Sequence, residues 1–248
     1  MNNQIKSNIH YSKLVNKKNI SLTEISGRYL KDKGSEKFIF LDIQKKIKFK
    51  KFERVLDIGC GYGELTKYLV KISSKKSFSL TLCDIPEIVK KLKKKYKTIP
   101  NLSFLSGNFP NIDMPEKNFN RIIIYSVIQY TNNPRNFLKK AISLLPPGGK
   151  LLIGDIPNID KKYRFLKSNF GKKFEQKRRS NLDLGKLTKN YKSFKKFTKQ
   201  NLKINDKFLE WIKNYLKKKK KYRVKFLTQS KKLPYCYTRE DVLIEKYK

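Results

Sequence analysis

Apolar positions along this chain fall into two spacings that alternate. Continuous apolar runs at Arg54 to Ile58, Phe78 to Cys83, Leu102 to Leu105, Arg121 to Tyr125 and Lys150 to Gly154 predict five strands. The Ile run in the fourth suits burial on both faces. Between the strands, helical spacing places Leu65, Tyr68 and Leu69 on one face of Glu64 to Val70, and Ile88, Val89, Leu92 and Tyr96 on one face of Glu87 to Tyr96. Asn133-Pro134 starts a further helix, with Asn as cap and Pro at its first position; Phe137, Leu138, Ala141, Ile142 and Leu145 form its stripe, and Pro146-Pro147-Gly148-Gly149 stops it. Strands alternating with helices in this way imply right-handed crossovers and a parallel sheet covered on both faces.

The two ends depart from that rhythm. In the first fifty residues, Phe38, Leu41 and Ile47 make a short helical pattern among lysines, read as an N-terminal helical layer over 1–53. After the core at 54–155, a Lys-rich stretch at 156–204 carries spaced aromatic residues (Tyr163, Phe165, Phe170, Phe174, Tyr191, Phe194, Phe197) and reads as a functional insertion, an acceptor lid. Order resumes over 205–248. Asn205 caps a helix whose Phe208, Leu209, Ile212, Tyr215 and Leu216 face inward, and strands at Tyr222 to Thr228 and Asp241 to Lys246 close the sheet at an antiparallel edge. The expected fold is α/β: a doubly wound, mostly parallel seven-stranded sheet with a helical insertion after strand five.

Composition narrows the class. With 38% hydrophobic residues in 248 the chain can bury a core, and no apolar run approaches the roughly 18 residues that would span a bilayer. Met1 to His10 is polar, without a signal-peptide core, so a soluble cytoplasmic protein with no membrane insertion is expected. The formal charge of +40 attracts polyanions. Yet it is carried almost wholly by Lys while Ala occurs once, the drift expected of AT-rich coding, so solvated lysine faces and a nucleic-acid footprint both stand as readings. The run Lys217 to Lys221 has the same two readings, as a helix end answering the dipole or as an RNA patch. Three cysteines without a CxxC pair fit reduced thiols, and no metal site is expected.

The densest chemical signal is Val55-Leu56-Asp57-Ile58-Gly59-Cys60-Gly61-Tyr62-Gly63-Glu64-Leu65. A strand runs into three alternate glycines and then a helix, which lets a ligand approach the backbone closely. Dinucleotide loops space their glycines GxGxxG and set a pyrophosphate on the helix N-terminus. Here the spacing is GxGxG, and the acid Glu64 opens the helix, disfavouring phosphate. A ligand with a cationic amino group suits the loop better.

The loop resembles motif I of the class I S-adenosylmethionine-dependent methyltransferases, and the resemblance runs from about Arg54 to Gly154. It implies S-adenosyl-L-methionine as cofactor, with Gly59, Gly61 and Gly63 approaching it and Asp57 near its methionine amino group. Asp84, at the end of Cys83-Asp84-Ile85, would bind the ribose diol and Ile85 would pack on adenine; a carboxylate can accept both diol hydrogen bonds. Asp84 also has an alternative reading as a helix N-cap before Pro86. Leu105-Ser106-Gly107-Asn108-Phe109 resembles the adenine turn, where the family usually has Asp; Asn108 can still accept from the adenine amino group and Phe109 offers its N–H. The segment Tyr125 to Tyr130 resembles the lining of the methionine end, with Tyr125 among the cofactor residues. Arg28 and Tyr29 could reach over the cofactor from the N-terminal layer, and His10 is the single histidine.

A sulfonium cofactor supplies its own electrophile, so the protein mainly aligns the methyl group and excludes water. Should the acceptor need a general base, Tyr130 and Asp155 are the catalytic candidates at the carboxyl edge. A small-molecule or sugar/lipid-type acceptor is the leading expectation and RNA the alternative. The residues after strand four lack the Asn/Asp-Pro-Pro-Tyr/Phe motif of exocyclic-amine enzymes, and no Pro-Cys pair is present for attack on a pyrimidine ring. A cofactor-binding module without an acceptor pocket is a third reading.

Overall fold

In the computed structural model, which describes residues 3–28, 32–115, 117–180 and 204–247, the five apolar runs become neighbouring parallel strands. They are β1 (Arg54–Ile58), β2 (Ser79–Asp84), β3 (Leu102–Ser106), β4 (Arg121–Tyr125) and β5 (Lys150–Pro157). With β6 (Tyr222–Leu227) and β7 (Arg239–Lys246) they form one seven-stranded sheet, ordered β3-β2-β1-β4-β5-β7-β6. β7 runs antiparallel to β5, and β6 antiparallel to β7. The strand order reverses between β1 and β4, where an open sheet of this kind leaves a crevice beyond its carboxyl ends.

Helices α1 (Asn3–Val15), α2 (Leu22–Ile25) and α3 (Ser35–Ile47) precede the sheet. The crossovers are α4 (Glu64–Lys76), α5 (Pro86–Tyr96) and α6 (Pro134–Ser143); α7 (Ile159–Lys167) and α8 (Asn169–Ser180) follow β5, and α9 (Asp206–Lys218) leads into β6. Asn133 and Asn205 cap α6 and α9, each side-chain oxygen accepting the N–H three residues on. The sheet separates two apolar layers. One joins it to α6 and α9 through Phe137, Leu138, Phe208 and Ile212, and the other to α3, α4 and α5 through Ile43, Leu69, Ile88 and Leu92. Each such side chain stabilises the fold by about 1.5–3 kcal/mol when fully buried. Together they hold the strand ends in a fixed frame.

Three expectations shift. In α3 the buried stripe is Ile39, Ile43 and Ile47, while Phe38 and Leu41 are 36% and 48% exposed. The face was obscured because polar Glu36 and Asp42 share the buried side. α4 extends to Lys76, and its buried face continues through Thr66 and Ser73, polar residues that an apolar count omits. β5 continues past Gly154 to Pro157, its pairing with β7 shifting register between Ile153 and Ile156. The described part of the insertion is therefore strand end plus two helices. There Phe165 stacks on Tyr237 with centroids 5.2 Å apart, joined by Phe170 and Phe174. Tyr29, Tyr191, Phe194 and Phe197 lie outside the described residues. No helix among those described is long and apolar enough to cross a membrane.

Candidate active site

Beyond the carboxyl ends of β1, β2 and β4 lies a cleft of ≈ 1050 Å³, counting its open mouth. That is the size of a small-molecule site. Its lining includes Gly59, Gly61, Gly63, Asp84, Ile85, Asn108, Phe109, Tyr125 and Tyr130 of the residues expected from sequence. Asp57 and Asp155 stand behind this lining rather than in it.

Two loop glycines have distinct reasons to be glycine. Gly59 has φ +72° and faces Val127 so closely that any Cβ would collide with its side chain. Gly61, at φ +65°, has open space where its Cβ would be, and its N–H donates to Asp84 Oδ2 at 2.7 Å. Asp84 Oδ1 accepts the N–H of Ile85 at 2.7 Å, and Ile85, not Asp84, is the N-cap residue of α5. The carboxylate thus fastens the glycine loop to the end of β2 instead of capping the helix. Each of its oxygens retains a further lone pair, and the residue lines the cleft. Burial pushes its pKa up to about 6, against the pull of the two backbone donors. Asp57, 3% exposed and without a side-chain hydrogen bond among the described residues, is pushed up to about 8, by burial first and then by Asp84. The two acids therefore differ at neutral pH, with Asp84 the more fully ionised.

An apolar slot beside Asp84 is walled by Ile85, Ile88, Phe109 and Phe137, the two phenyl rings meeting edge to face at 4.7 Å. The Asn108 Oδ1 that could receive an adenine amino group accepts Asn8 Nδ2 at 2.5 Å. Tyr125 is 7% exposed, and its ring lies where a Cβ on Gly154 would have to be, so glycine in β5 makes room for tyrosine in β4.

The candidate bases differ in setting. Tyr130 lines the cleft, its hydroxyl paired with that of Tyr11, and burial raises its pKa above the usual tyrosine value. It therefore stays protonated at neutral pH and is better placed to donate than to abstract. Asp155 accepts the hydroxyl of Ser126, which does line the cleft, and faces Arg239 Nε at 3.6 Å. Asp155 therefore meets the cleft through the Ser126 hydroxyl and through its electrostatic interaction with Arg28, both in the lining.

The N-terminal layer supplies wall residues that, Arg28 apart, sequence reasoning missed. Gln4, Ser7, Asn8 and Tyr11 of α1, with Arg28 and Glu36, line the cleft. Gln4 Nε2 donates to the Phe109 carbonyl at 3.0 Å, and Gln4 N–H to Asn132 Oδ1 at 3.0 Å, so α1 bridges the turns after β3 and β4. The spacing of Gln4, Asn8 and Tyr11 on one helical face was the available signal. Arg28 does reach the cleft, and Asp155, Tyr125 and Glu36 together outweigh burial to raise its pKa. His10, part-buried in α1, is lowered by burial and by Lys17 and Lys13, and is not part of the lining. Cys60, Cys83 and Cys236 are buried free thiols.

A second cavity, of ≈ 680 Å³, lies where α7 and α8 face the segment before β7, lined by Phe165, Phe174, Arg178, Tyr235, Tyr237 and Arg239 among others. Arg239 connects it to Asp155 and hence to Ser126 at the cleft wall.

A glycine loop tied to a strand-end carboxylate, beside an apolar slot at the sheet's crossover point, is the arrangement expected of the class I S-adenosylmethionine-dependent methyltransferases. The chain belongs to the methyltransferase domain family, which matches residues 29–203. Among curated relatives, it is 36% identical over 117 residues to a malonyl-[acyl-carrier protein] O-methyltransferase of Haemophilus ducreyi, covering 45% of this chain and 43% of that protein. It is 29% identical over 104 residues to a ubiquinone/menaquinone biosynthesis C-methyltransferase of Wigglesworthia glossinidia brevipalpis, covering 41% and 42%. The match thus spans less than half the length of these relatives. The fold is similar to that of the plantazolicin methyltransferase BpumL bound to S-adenosylhomocysteine, with a TM-score of 0.64 at 16% identity over 99% of this chain and 97% of that one. It is also similar to a Haemonchus contortus phosphoethanolamine N-methyltransferase, with a TM-score of 0.62 at 14% identity over 99% and 49%.

Proposed function

We propose that this protein transfers the methyl group of S-adenosylmethionine to a small-molecule, saccharide or lipid-type acceptor held between the sheet's carboxyl edge and the insertion. The carrying observation is a pair of spaces linked by side chains: the cleft at the glycine loop, and an aromatic cavity under α7 and α8 connected to its wall through Arg239, Asp155 and Ser126. In this reading Asp84 takes the ribose diol, Ile85 and Phe109 enclose the adenine, Asn108 exchanges Asn8 for the adenine amino group, and Asp57 supports the loop from behind. The cofactor supplies the electrophilic methyl group. Gly59, Gly61, Gly63 and Tyr125 orient it, Tyr130 donates or walls, and Ser126 is a lining hydroxyl backed by the Asp155 carboxylate, which can take its proton. Residues 156–204 act as the acceptor lid. Relatives whose names give malonyl-acyl-carrier protein and quinone biosynthesis support a carrier-bound or lipid-type acceptor over RNA.

Two measurements test it. Calorimetry should show binding of S-adenosylmethionine and S-adenosylhomocysteine and none of NAD, because Glu64 opens α4 where a pyrophosphate would sit. Incubation with methyl-labelled cofactor and a cell extract split into metabolite, polysaccharide, lipid and RNA fractions should label one of the first three. Label confined to RNA overturns the acceptor class.

A further inference from the structure

Glu36 stands out within the cleft. It is 1% exposed, it belongs to the lining, and neither carboxylate oxygen accepts a hydrogen bond. A first-turn acid ordinarily answers the helix dipole, and Glu36 is in the first turn of α3. That accounts for the residue type but not for its burial, since a helix-dipole carboxylate works equally well in water. Arg28 is near enough to interact electrostatically, yet the two form no ion pair within 4.0 Å. Burying a carboxylate without a partner is among the costliest arrangements a fold can keep. Among the described residues, the other charged members of the lining are Arg28 and Asp84, so two carboxylates face one guanidinium inside a protein whose formal charge is +40.

We infer that Glu36 is the counter-charge for a cationic centre of the ligand, an ammonium or sulfonium group, and so selects the charged methyl donor within the cleft. The inference rests on the methyltransferase reading above and adds to it a residue outside the glycine loop and the strand ends. A carboxylate in a water-poor wall attracts an onium centre far more strongly than one in solvent, and the ligand's charge offsets the desolvation that the free protein bears.

Calorimetry on the full chain separates the possibilities with three probes: S-adenosylmethionine, S-adenosylhomocysteine and 5′-methylthioadenosine, the last lacking both cationic centres. Glu36→Gln should weaken S-adenosylmethionine by about tenfold or more, roughly 1.4 kcal/mol, and leave methylthioadenosine within about twofold. Loss on S-adenosylhomocysteine as well assigns the ammonium; loss on S-adenosylmethionine alone assigns the sulfonium. Thermal melting of the ligand-free variant should match or exceed that of the parent, because a buried neutral amide costs less than a buried lone carboxylate. Should Glu36→Gln fail to fold, Glu36→Met of similar length serves with the same expectations. Unchanged S-adenosylmethionine affinity, or equal loss on all three probes, overturns the inference. A parent protein that binds none of the three overturns the methyltransferase reading itself, and this inference with it.

Discussion

Asp84 and Asn108 face the same slot with different commitments. Asp84 already accepts two backbone donors, so its carboxylate is positioned before any ligand arrives. Asn108 Oδ1 already accepts Asn8, a bond it has to share with an adenine amino group or exchange for it. Asp84→Ala should therefore weaken S-adenosylhomocysteine binding by about 1.5–3 kcal/mol, the worth of hydrogen bonds to a charged group. Asn108→Ala should cost about 0.5–1.5 kcal/mol or less, a neutral bond exchanged for another. Calorimetry on both variants checks the order, and a larger loss at Asn108 reverses the assignment. Asp57 gives a pH-dependent signature. Its pKa is about 8 in the fold against 3.8 in the unfolded chain, so the native state binds more protons between those values and stability falls as pH rises across that window. Asp57→Asn should flatten the fall, which urea melts at pH 5 and pH 8 would register. An unchanged slope would show that Asp57 is ionised in the fold.

At the scale of elements, α7 and α8 hold their own cavity through rings rather than buried aliphatics. α7 has no fully buried residue, and Phe165 is fixed by its stack on Tyr237 and its contacts with Phe170 and Phe174. Phe165→Ala should loosen this wall and lower methyl transfer by at least about tenfold, while S-adenosylhomocysteine affinity stays within about twofold. Equal loss of both would place the helices in cofactor binding instead. The sheet and its crossovers were legible in sequence because continuous apolar runs and period-3.6 patterns there coincide with burial. The N-terminal layer was not, since its inward faces carry Ser7, Glu36 and Asp42, polar residues whose reason for burial is the cleft or an ion pair with Lys46. The glycine loop could be read from spacing alone, whereas the placing of Asp57 and Asp155 behind the wall needed three dimensions. Asp155 hides there because β5 continues past Gly154 into a bulge that no local signal announces.

For the whole molecule, a formal charge of +40 guarantees some affinity for any polyanion, and the informative quantity is how that affinity responds to change. Arg178 donates Nε and Nη2, one edge of its guanidinium, to the two Glu175 carboxylate oxygens, so its charge is already answered locally. Replacing Arg178 and Arg179 by Ala should leave RNA affinity and its salt slope nearly as in the parent, measured by filter binding across a salt series. A slope flattened by about 0.7 per lost phosphate contact on a single strand would instead mark the insertion as an RNA surface.

The contrast between a polycationic exterior and a cleft faced by Glu36 and Asp84 also bears on how fast the methyl donor arrives. A cation diffusing toward such a protein meets repulsion at a distance and attraction only at the mouth of the cleft. Salt screens the first beyond a Debye length of about 10 Å at 0.1 M and leaves the second largely intact. Stopped-flow association of S-adenosylmethionine should therefore accelerate as ionic strength rises, the reverse of ordinary electrostatic steering, while uncharged methylthioadenosine keeps a constant rate.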